Sequence, residues 1–528
     1  MSWLTNFRAS FSLLRAVWVL MREGVITALP DQGAPPPMVL AKMVAKLVRR
    51  RRAVDAPQSK ILSAALARLG PSWVKLGQFL ATRPDIVGDS IAHDLELLQD
   101  RMEPFPVEEA KRMVEATLDG KVDDLFVDFG QPIAAASIAQ VHKGRVRDET
   151  GERDVAIKII RPGVRERFAW DLQTFYFAAR LLNRLFPPIR RLMLVQSVDI
   201  LAESARLEME LRLEAAAFSE MAENVKDDEG FRVPAIDWPR SGRDCITMEW
   251  VDGIKMNNSA ALAASGHDLK KVAATLNQSF LRHAIRDGFF HADMHPGNLF
   301  LAPDGDIVAV DLGIAGRVTK PERRYLAEIL YGFIRRDYRR IAEVHIEAGY
   351  VPADKDVDMF AQALRAVGEP IYGKTAGEIS IGNLLTLLFD ITELFEMKTQ
   401  PQLIMLQKTM VVVEGVARKL DPDFNIWTSA GPVVIPYATR LIGPLGRLDE
   451  ARDGLLAVGS LARQAPVFAE RLKSLSTEID GWAENGVRLD KPTIEAIGKA
   501  EARHSRSGRV ALWVLALSAA AIAWQIGG

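Results

Sequence analysis

Between His291 and Gly313 the chain sets three oxygen-bearing side chains in a frame that few folds can satisfy. The run His291-Ala292-Asp293-Met294-His295-Pro296-Gly297-Asn298 is followed by Val308-Ala309-Val310-Asp311-Leu312-Gly313. Pro296-Gly297 does not continue a helix, so Asp293 and Asn298 lie in a loop. A short hairpin then returns the chain to Asp311. Upstream, Val155-Ala156-Ile157-Lys158 reads as a strand that buries the stem of a lysine and leaves its ammonium free to meet oxygens. Any fold for this chain has to bring that strand to that loop.

A lysine strand, an acidic helix, Asp…Asn five residues on, and Asp-x-Gly is the order of polar groups in phosphoryl-transfer enzymes built like protein kinases. In that frame Lys158 pairs phosphate oxygens. Asp293 is the base or the carboxylate that orients a nucleophile. Asn298 and Asp311 bind magnesium, which takes few protein oxygens and completes its shell with phosphate. Lys158 needs an acidic partner, and Glu214 is the best candidate in a helix that also holds Glu208 and Glu210. Glu210 and Glu214 are one turn apart and share a face, whereas Glu208 points elsewhere. His291 and His295 have zincin spacing, but the Pro-Gly break and the lack of an intervening Glu favour loop histidines over metal ligands.

One part of the frame is altered. Ahead of the lysine strand, a glycine-rich loop gives way to Ala134-Ala135-Ala136-Ser137-Ile138. Alanine restricts φ and keeps backbone amides farther from phosphates, so nucleotide phosphates are expected to be held differently by these residues. Met248-Glu249-Trp250-Val251-Asp252-Gly253 follows a strand and reads as the interlobe hinge, with Met248, Glu249 and Val251 beside adenine.

The chain has 528 residues, enough for a large domain with extra segments or for two domains. Net charge is −1, so no global field argues for nucleic acid. The single cysteine, Cys245, excludes an internal disulfide and sits in an apolar run as a buried thiol. No secretory signal is evident at the N-terminus. Arg8, Arg15 and Arg22 recur every seven residues through the apolar segment 8–29, so they share one helical face; this helix either lies on a membrane surface or packs on the domain. Val510–Ile526 carries no charge, spans about 25 Å as a helix, and has Trp513 and Trp524 near its ends. It reads as a transmembrane helix rather than a buried core helix. The arginines before it put the body of the protein on the cytoplasmic side of the cytoplasmic membrane.

Along the chain, residues 1–57 form an amphipathic and basic region, 58–124 a helical extension, and 125–253 a small β lobe. A helical lobe, 254–425, a helical connector, 426–508, and the terminal helix, 509–528, complete the organisation. Helices are expected over 164–186, 195–225 and 269–290. The strand candidates Phe231–Ile236 and Cys245–Val251 are expected to close the small sheet. The fold class is α+β, a two-lobed kinase-like fold that is helix-rich.

Taken together, these residues resemble the UbiB/ADCK family of atypical kinase-like proteins over roughly residues 60–320. Lys75-Leu76-Gly77-Gln78 looks like the family's Lys-x-Gly-Gln signature, and Ala134-Ala135-Ala136-Ser137 like its alanine-rich loop. Glu208-Met209-Glu210 and Glu214-Ala215 look like its acidic helix motif, with Glu210 where Asp is usual and Ala217 where Asn is usual. Asp94 stands where the family usually has Glu. The resemblance implies a membrane-associated protein that binds ATP or ADP with Mg2+ and supports ubiquinone biosynthesis. It implies that Lys75, Gly77 and Gln78 belong to a segment folded over the entrance for a protein substrate, a regulatory role. The implied partners are a membrane lipid or prenylated quinone precursor and enzymes of ubiquinone biosynthesis. A nucleotide-sensing pseudokinase scaffold is the rival reading. A quinone-ring hydroxylase is disfavoured, because no dinucleotide fingerprint or redox-metal cluster is evident.

Overall fold

The computed structural model describes residues 3–28, 45–48, 58–81, 83–87, 91, 94–95, 102–149, 151–185, 190, 192–369, 391, 394–397 and 401–442. The chain divides into compact units at 1–439 and 440–528, and the fold below is that of the first. It opens with helices α1 (Trp3–Arg22), α2 (Val25–Ala28), α3 (Gln58–Leu69), α4 (Pro71–Ala81), α5 (Pro84–Val87), α6 (Val107–Leu118) and α7 (Val122–Leu125). Strands β1 (Asp128–Ala135), β2 (Ala139–Asp148) and β3 (Gly151–Ile160) form an antiparallel meander. Helices α8 (Val164–Leu185), α9 (Leu194–Glu208) and α10 (Leu211–Val225) follow.

Strand alternation positions the lysine. Val155, Ile157 and Ile159 of β3 are fully buried and pack with Ala110 and Val114 of α6. Successive side chains of a strand point to opposite faces, so Lys158 is directed away from α6. Phe218 and Met221 of α10 are buried in a core shared with Ile160 and Ile246. The lysine therefore meets an acidic side chain of α10.

The helix expected over 195–225 is two helices. The chain breaks at Met209 and Glu210, which lie outside helical geometry. The freed backbone groups find distant partners: the Leu211 amide donates to the Arg243 carbonyl, and the Arg165 guanidinium donates to the Met209 carbonyl. Glu210 therefore stands at the N-cap position of α10 with a non-helical backbone, outside the one-turn register with Glu214 expected from the sequence, and its carboxylate pairs with Arg212 at 2.7 Å and Arg243 at 3.5 Å.

The N-terminal helices α3 and α4 pack on α8 and α9. Leu66, Leu69, Trp73 and Val74 join Phe175 of α8 and Leu201 of α9 in a separate core, with Trp73 and Phe175 edge to face at 4.9 Å. Each such buried side chain contributes about 1.5–3 kcal/mol. Gly70 joins α3 to α4 at φ +114°, and a Cβ there would strike the Arg167 guanidinium, which donates to the Leu69 carbonyl at 2.7 Å.

β4 (Phe231–Arg232) and β5 (Cys245–Glu249) follow, and the larger lobe continues with β6 (Ile254–Lys255), α11 (Ser259–Ala264) and α12 (Leu269–Arg282). Strands β7 (Phe289–His291), β8 (Leu299–Leu301), β9 (Ile307–Ala309) and β10 (Ala315–Arg317) then frame the polar loop. Helices α13 (Lys320–Arg335), α14 (Tyr338–Glu347), α15 (Val357–Gly368), α16 (Pro401–Leu420) and α17 (Ile426–Ile442) complete it. Two expectations are corrected here. Of the two strand candidates, β5 joins the small sheet, ordered β1-β2-β3-β5; the first splits, its start β4 pairing in parallel with β9 in a second sheet, ordered β4-β9-β8-β6, while its end, Ile236, makes a single antiparallel bridge to Met248 of β5. The helix expected over 269–290 stops at Arg282, widens into a π-type turn at His283–Asp287, and gives way to β7. Cys245 is buried, as a structural thiol should be, and burial pushes it up to about 12.

Candidate functional site

Lys158, Glu214 and Asp311 converge. The Lys158 ammonium donates to both oxygens of Glu214 at 2.7 and 2.9 Å, and to Asp311 Oδ1 at 3.2 Å. Glu214 is buried, whereas Asp311 is about half exposed. Burial alone would push the ammonium down, but Asp311 and Glu214 together hold it above its ordinary range. Burial raises Glu214 to about 7, against the pull of Lys158. The Lys158 charge draws Asp311 down to about 2. Two carboxyl groups thus share one ammonium, which favours a further cation nearby.

Asp311 adopts a left-handed backbone with φ +69°. Aspartate tolerates this geometry because its side chain can bond locally, and here Oδ1 accepts from the Gly313 amide at 3.3 Å. The hairpin of β8 and β9 sets the approach: the Val310 amide donates to the Asn298 carbonyl at 2.8 Å. Asn298 in turn donates through Nδ2 to the Asp293 carbonyl at 3.2 Å and to Asp293 Oδ2 at 3.1 Å. Its Oδ1 is thereby turned away from Asp293. Asp293, Asn298 and Asp311 are thus linked through the loop and hairpin expected from the sequence.

The two histidines have loop roles. His291 is buried, and its Nδ1 accepts from the Asp293 amide at 3.1 Å, which places the proton of the neutral ring on Nε2. Burial holds His291 below its ordinary range. His295 Nδ1 accepts from the Gly297 amide at 3.1 Å.

The alanine loop is fastened at several points. Ala134 and Ala135 belong to β1 opposite Val141 and Gln140. The Ala136 amide donates to the Ala139 carbonyl at 2.8 Å, and Arg161 Nε donates to the Ala136 carbonyl at 2.8 Å. Ser137 and Ile138 are buried, and Ile138 is a core side chain. Of the five loop residues assigned to nucleotide, only Ala134, Ala135 and Ala136 have exposed or half-buried side chains; Ser137 and Ile138 offer backbone alone. At the hinge, Met248 is buried opposite Ala156, and Glu249 is engaged by Arg232 at 2.9 Å. Val251 is half-buried.

Lys75 does not join the Lys158 cluster. It donates to Glu208 at 2.5 Å, so α4 grips the last residue of α9, three positions before α10 begins. Gly77 is buried and Gln78 half-buried in α4. Sequence reasoning missed this pairing because Glu208 lies 133 positions away with no local signal. It also missed Arg317, whose guanidinium donates to both oxygens of Glu220 at 2.7 and 2.5 Å and so ties β10 to α10. A basic residue six positions after Asp311 was the only signal.

Comparison with known proteins gives the family. The model of the ABC1 atypical kinase-like domain matches residues 97–345, and that of the UbiB helical domain matches residues 364–425. Relatives described as probable protein kinase UbiB are found in Aliivibrio fischeri strain MJ11, 37% identical over 80% of this chain and 76% of the relative, and in Azotobacter vinelandii, 38% identical over 80% and 79%. That of Marinobacter nauticus is 34% identical over 97% of this chain and 93% of its own. The solved structure of the Mycobacterium tuberculosis protein Rv3197 with erythromycin shares the fold at TM-score 0.50 and 23% identity, covering 76% of this chain and all of that one. With most of its length shared by relatives above 30% identity, and with both domain models matching in order, this chain belongs to the UbiB family of atypical kinase-like proteins.

Proposed function

We propose that this protein is an ATP- and magnesium-dependent atypical kinase or ATPase that works at the cytoplasmic membrane in support of ubiquinone biosynthesis. The observation that carries the reading is Lys158 shared between Glu214 and Asp311, with Asn298 and Asp293 in the adjoining loop. Asp311 and Asn298 offer hard oxygen donors suited to Mg2+. Among the described residues no group of three or more His, Cys, Asp or Glu side chains forms a ready metal cage, so a cation there would complete its shell with phosphate oxygens and water. Bound magnesium would neutralise phosphate charge. Lys158 binds phosphate oxygens and Glu214 keeps it in place. Asp293 orients the acceptor hydroxyl or water and takes its proton. Ala134, Ala135 and Ala136 cover the nucleotide, and Met248, Glu249 and Val251 border the base.

Membrane association draws on both ends of the chain. α1 turns Ala9 and Ala16 inward and contacts the domain, while Phe11, Leu14 and Trp18 face solvent beside exposed Arg8, Arg15 and Arg22. Apolar side chains flanked by arginines suit an anionic bilayer surface. Among the described residues no helix is long and apolar enough to cross a membrane; the apolar segment Val510–Ile526 lies outside them. A prenylated quinone precursor would be held at such a surface, within reach of a tethered kinase domain.

The rival reading, a nucleotide-sensing scaffold without turnover, draws support from the fastened alanine loop and the Lys75–Glu208 pair, both of which restrain the site. One experiment separates the two. Thermal unfolding of the full-length protein with Mg·ATP, with and without EDTA, is compared between wild type and Asp311→Asn, and ADP release is followed on lipid vesicles. Nucleotide-induced stabilisation that needs Mg2+ and Asp311, together with ADP release, supports the enzyme. Stabilisation without release supports the scaffold. No stabilisation in the wild type overturns both.

A further inference from the structure

The peptide group between Ala292 and Asp293 is held at both ends. Its N–H donates to His291 Nδ1 at 3.1 Å, and its carbonyl oxygen accepts from the hydroxyl of Thr409 at 3.0 Å. On the other side of Asp293, the carbonyl accepts from Asn298. The direction of the Asp293 side chain is set by these two peptide planes, because the Cα–Cβ bond moves with them. Two of the three restraints come from the loop itself. The third comes from α16, 117 positions away in sequence and inside the region matched by the UbiB helical domain, not by the kinase-like domain.

Thr409 is 1% exposed and sits on an apolar stripe with Leu406, Val413, Val416 and Leu420, all buried. A hydroxyl on such a stripe costs free energy unless it is hydrogen-bonded. Its own helix offers one acceptor, the Met405 carbonyl at 2.9 Å, which is ordinary helical back-bonding. The hydroxyl carries one proton, so that proton is shared between the Met405 and Ala292 carbonyls, and Ala292 is the acceptor that lies outside the helix. The same helix also touches the chain that follows Asp311: Gln402 Nε2 donates at 2.6 Å to Glu322, whose other oxygen caps the start of α13 at Thr319. α16 thus braces the loop of Asp293 and the segment leaving Asp311.

We propose that Thr409 is a positioning residue for Asp293, through which the helical domain is a working part of the phosphoryl-transfer site and not an appendage to it. The proposal rests on the reading of Asp293 given above. It is tested in the full chain with Thr409→Val, which keeps the shape and removes the hydroxyl, and Thr409→Ser, which keeps the hydroxyl and removes a methyl. In Thr409→Val, kcat for Mg·ATP turnover falls about tenfold while KM stays within about twofold, as expected for a misplaced group acting after binding. Amide hydrogen exchange speeds up over residues 292–298 and stays slow within α16. Thr409→Ser behaves as wild type in both measurements. Equal losses in Val and Ser, or exchange at 292–298 unchanged in Val, overturn the proposal. If the wild type shows no turnover, the enzymatic reading has failed, and the exchange comparison alone decides whether Thr409 positions the loop.

Discussion

Lys158 and Glu214 lie 56 positions apart in sequence, and their charged atoms meet at 2.7 Å. The pair bridges β3 and α10, so it ties the sheet to the helix beside the cleft. Glu214 is buried and Lys158 nearly so. Removing one partner of such a pair leaves an uncompensated buried group, which typically costs about 3–5 kcal/mol, whereas removing both is far cheaper. Glu214 softens the cost by taking a proton, since burial already raises it to about 7. Lys158→Met is therefore expected to lose roughly 2–4 kcal/mol at neutral pH. The double variant Lys158→Met/Glu214→Met should regain most of that loss in urea unfolding. A double variant destabilised by the sum of the two single variants, Lys158→Met and Glu214→Met, would mean that the contact carries no coupling.

The groups of this site differ in how well the sequence announced them. Lys158, Asp293, Asn298 and Asp311 each sit next to a local signal: an apolar strand, a Pro-Gly break, or a hairpin. Their mutual order left little freedom once those elements formed. The interruption at Met209 and Glu210 has no such signal, since neither residue opposes a helix. The break is held open by Arg165 and by the Arg243 carbonyl, which only the folded chain brings near. The same holds for β4, a strand of two residues whose parallel partner β9 lies far along the chain. The alanine loop was legible as a substitution of glycine, but its anchoring by Arg161 was not, because that residue follows β3 with no motif of its own.

Lys75 and Glu208 offer a cleaner energetic test than most ion pairs. Their side chains are 13% and 23% exposed, so the contact is shielded more than a surface pair. Exposed pairs give about 0.2–1 kcal/mol in double-mutant cycles, and partial burial should lift the coupling to roughly 1–2 kcal/mol. The cycle uses Lys75→Met and Glu208→Gln in chemical unfolding. Because the pair steadies the junction of α9 and α10, neither substitution should abolish Mg·nucleotide stabilisation, while turnover should change. A folded Lys75→Met protein that no longer binds nucleotide would contradict the restraining role.

Attachment to the membrane should separate into two contributions. Deleting residues 510–528 is expected to turn a carbonate-resistant protein into an extractable one, because only a spanning helix resists carbonate. What remains should bind vesicles containing anionic lipid through α1, and bind them less as salt rises towards about 0.5 M. Replacing Arg8, Arg15 and Arg22 by Gln in the truncated chain should remove this residual binding. Full-length protein that carbonate releases would rule out the spanning helix, and salt-independent binding would rule out the electrostatic role of α1.

His283 predicts how the fold fails in acid. It lies in the π-type turn beneath β7, fully buried, with the Phe231 ring 4.8 Å away. Asp228 approaches Nε2 only to 3.9 Å and is already bonded by Arg286 at 2.6 and 2.9 Å. Neither ring nitrogen has a hydrogen-bond partner among the described residues. Burial pushes the imidazole down to about 3, whereas in the unfolded chain it titrates near about 6.5. The unfolded state therefore binds a proton that the folded state refuses. The stability contributed by this depressed group is fully present above about pH 6.5 and is lost as pH falls through the window towards about 3, at up to ~1.4 kcal/mol per pH unit. His283→Phe keeps an aromatic ring there and removes the titration. Urea unfolding at several pH values between about 7 and 5 should show a shallower loss in the variant, by about 1 kcal/mol per unit, whatever its absolute stability. Parallel slopes in the two proteins would show that His283 is protonated in the fold and that the buried pocket supplies it with a partner.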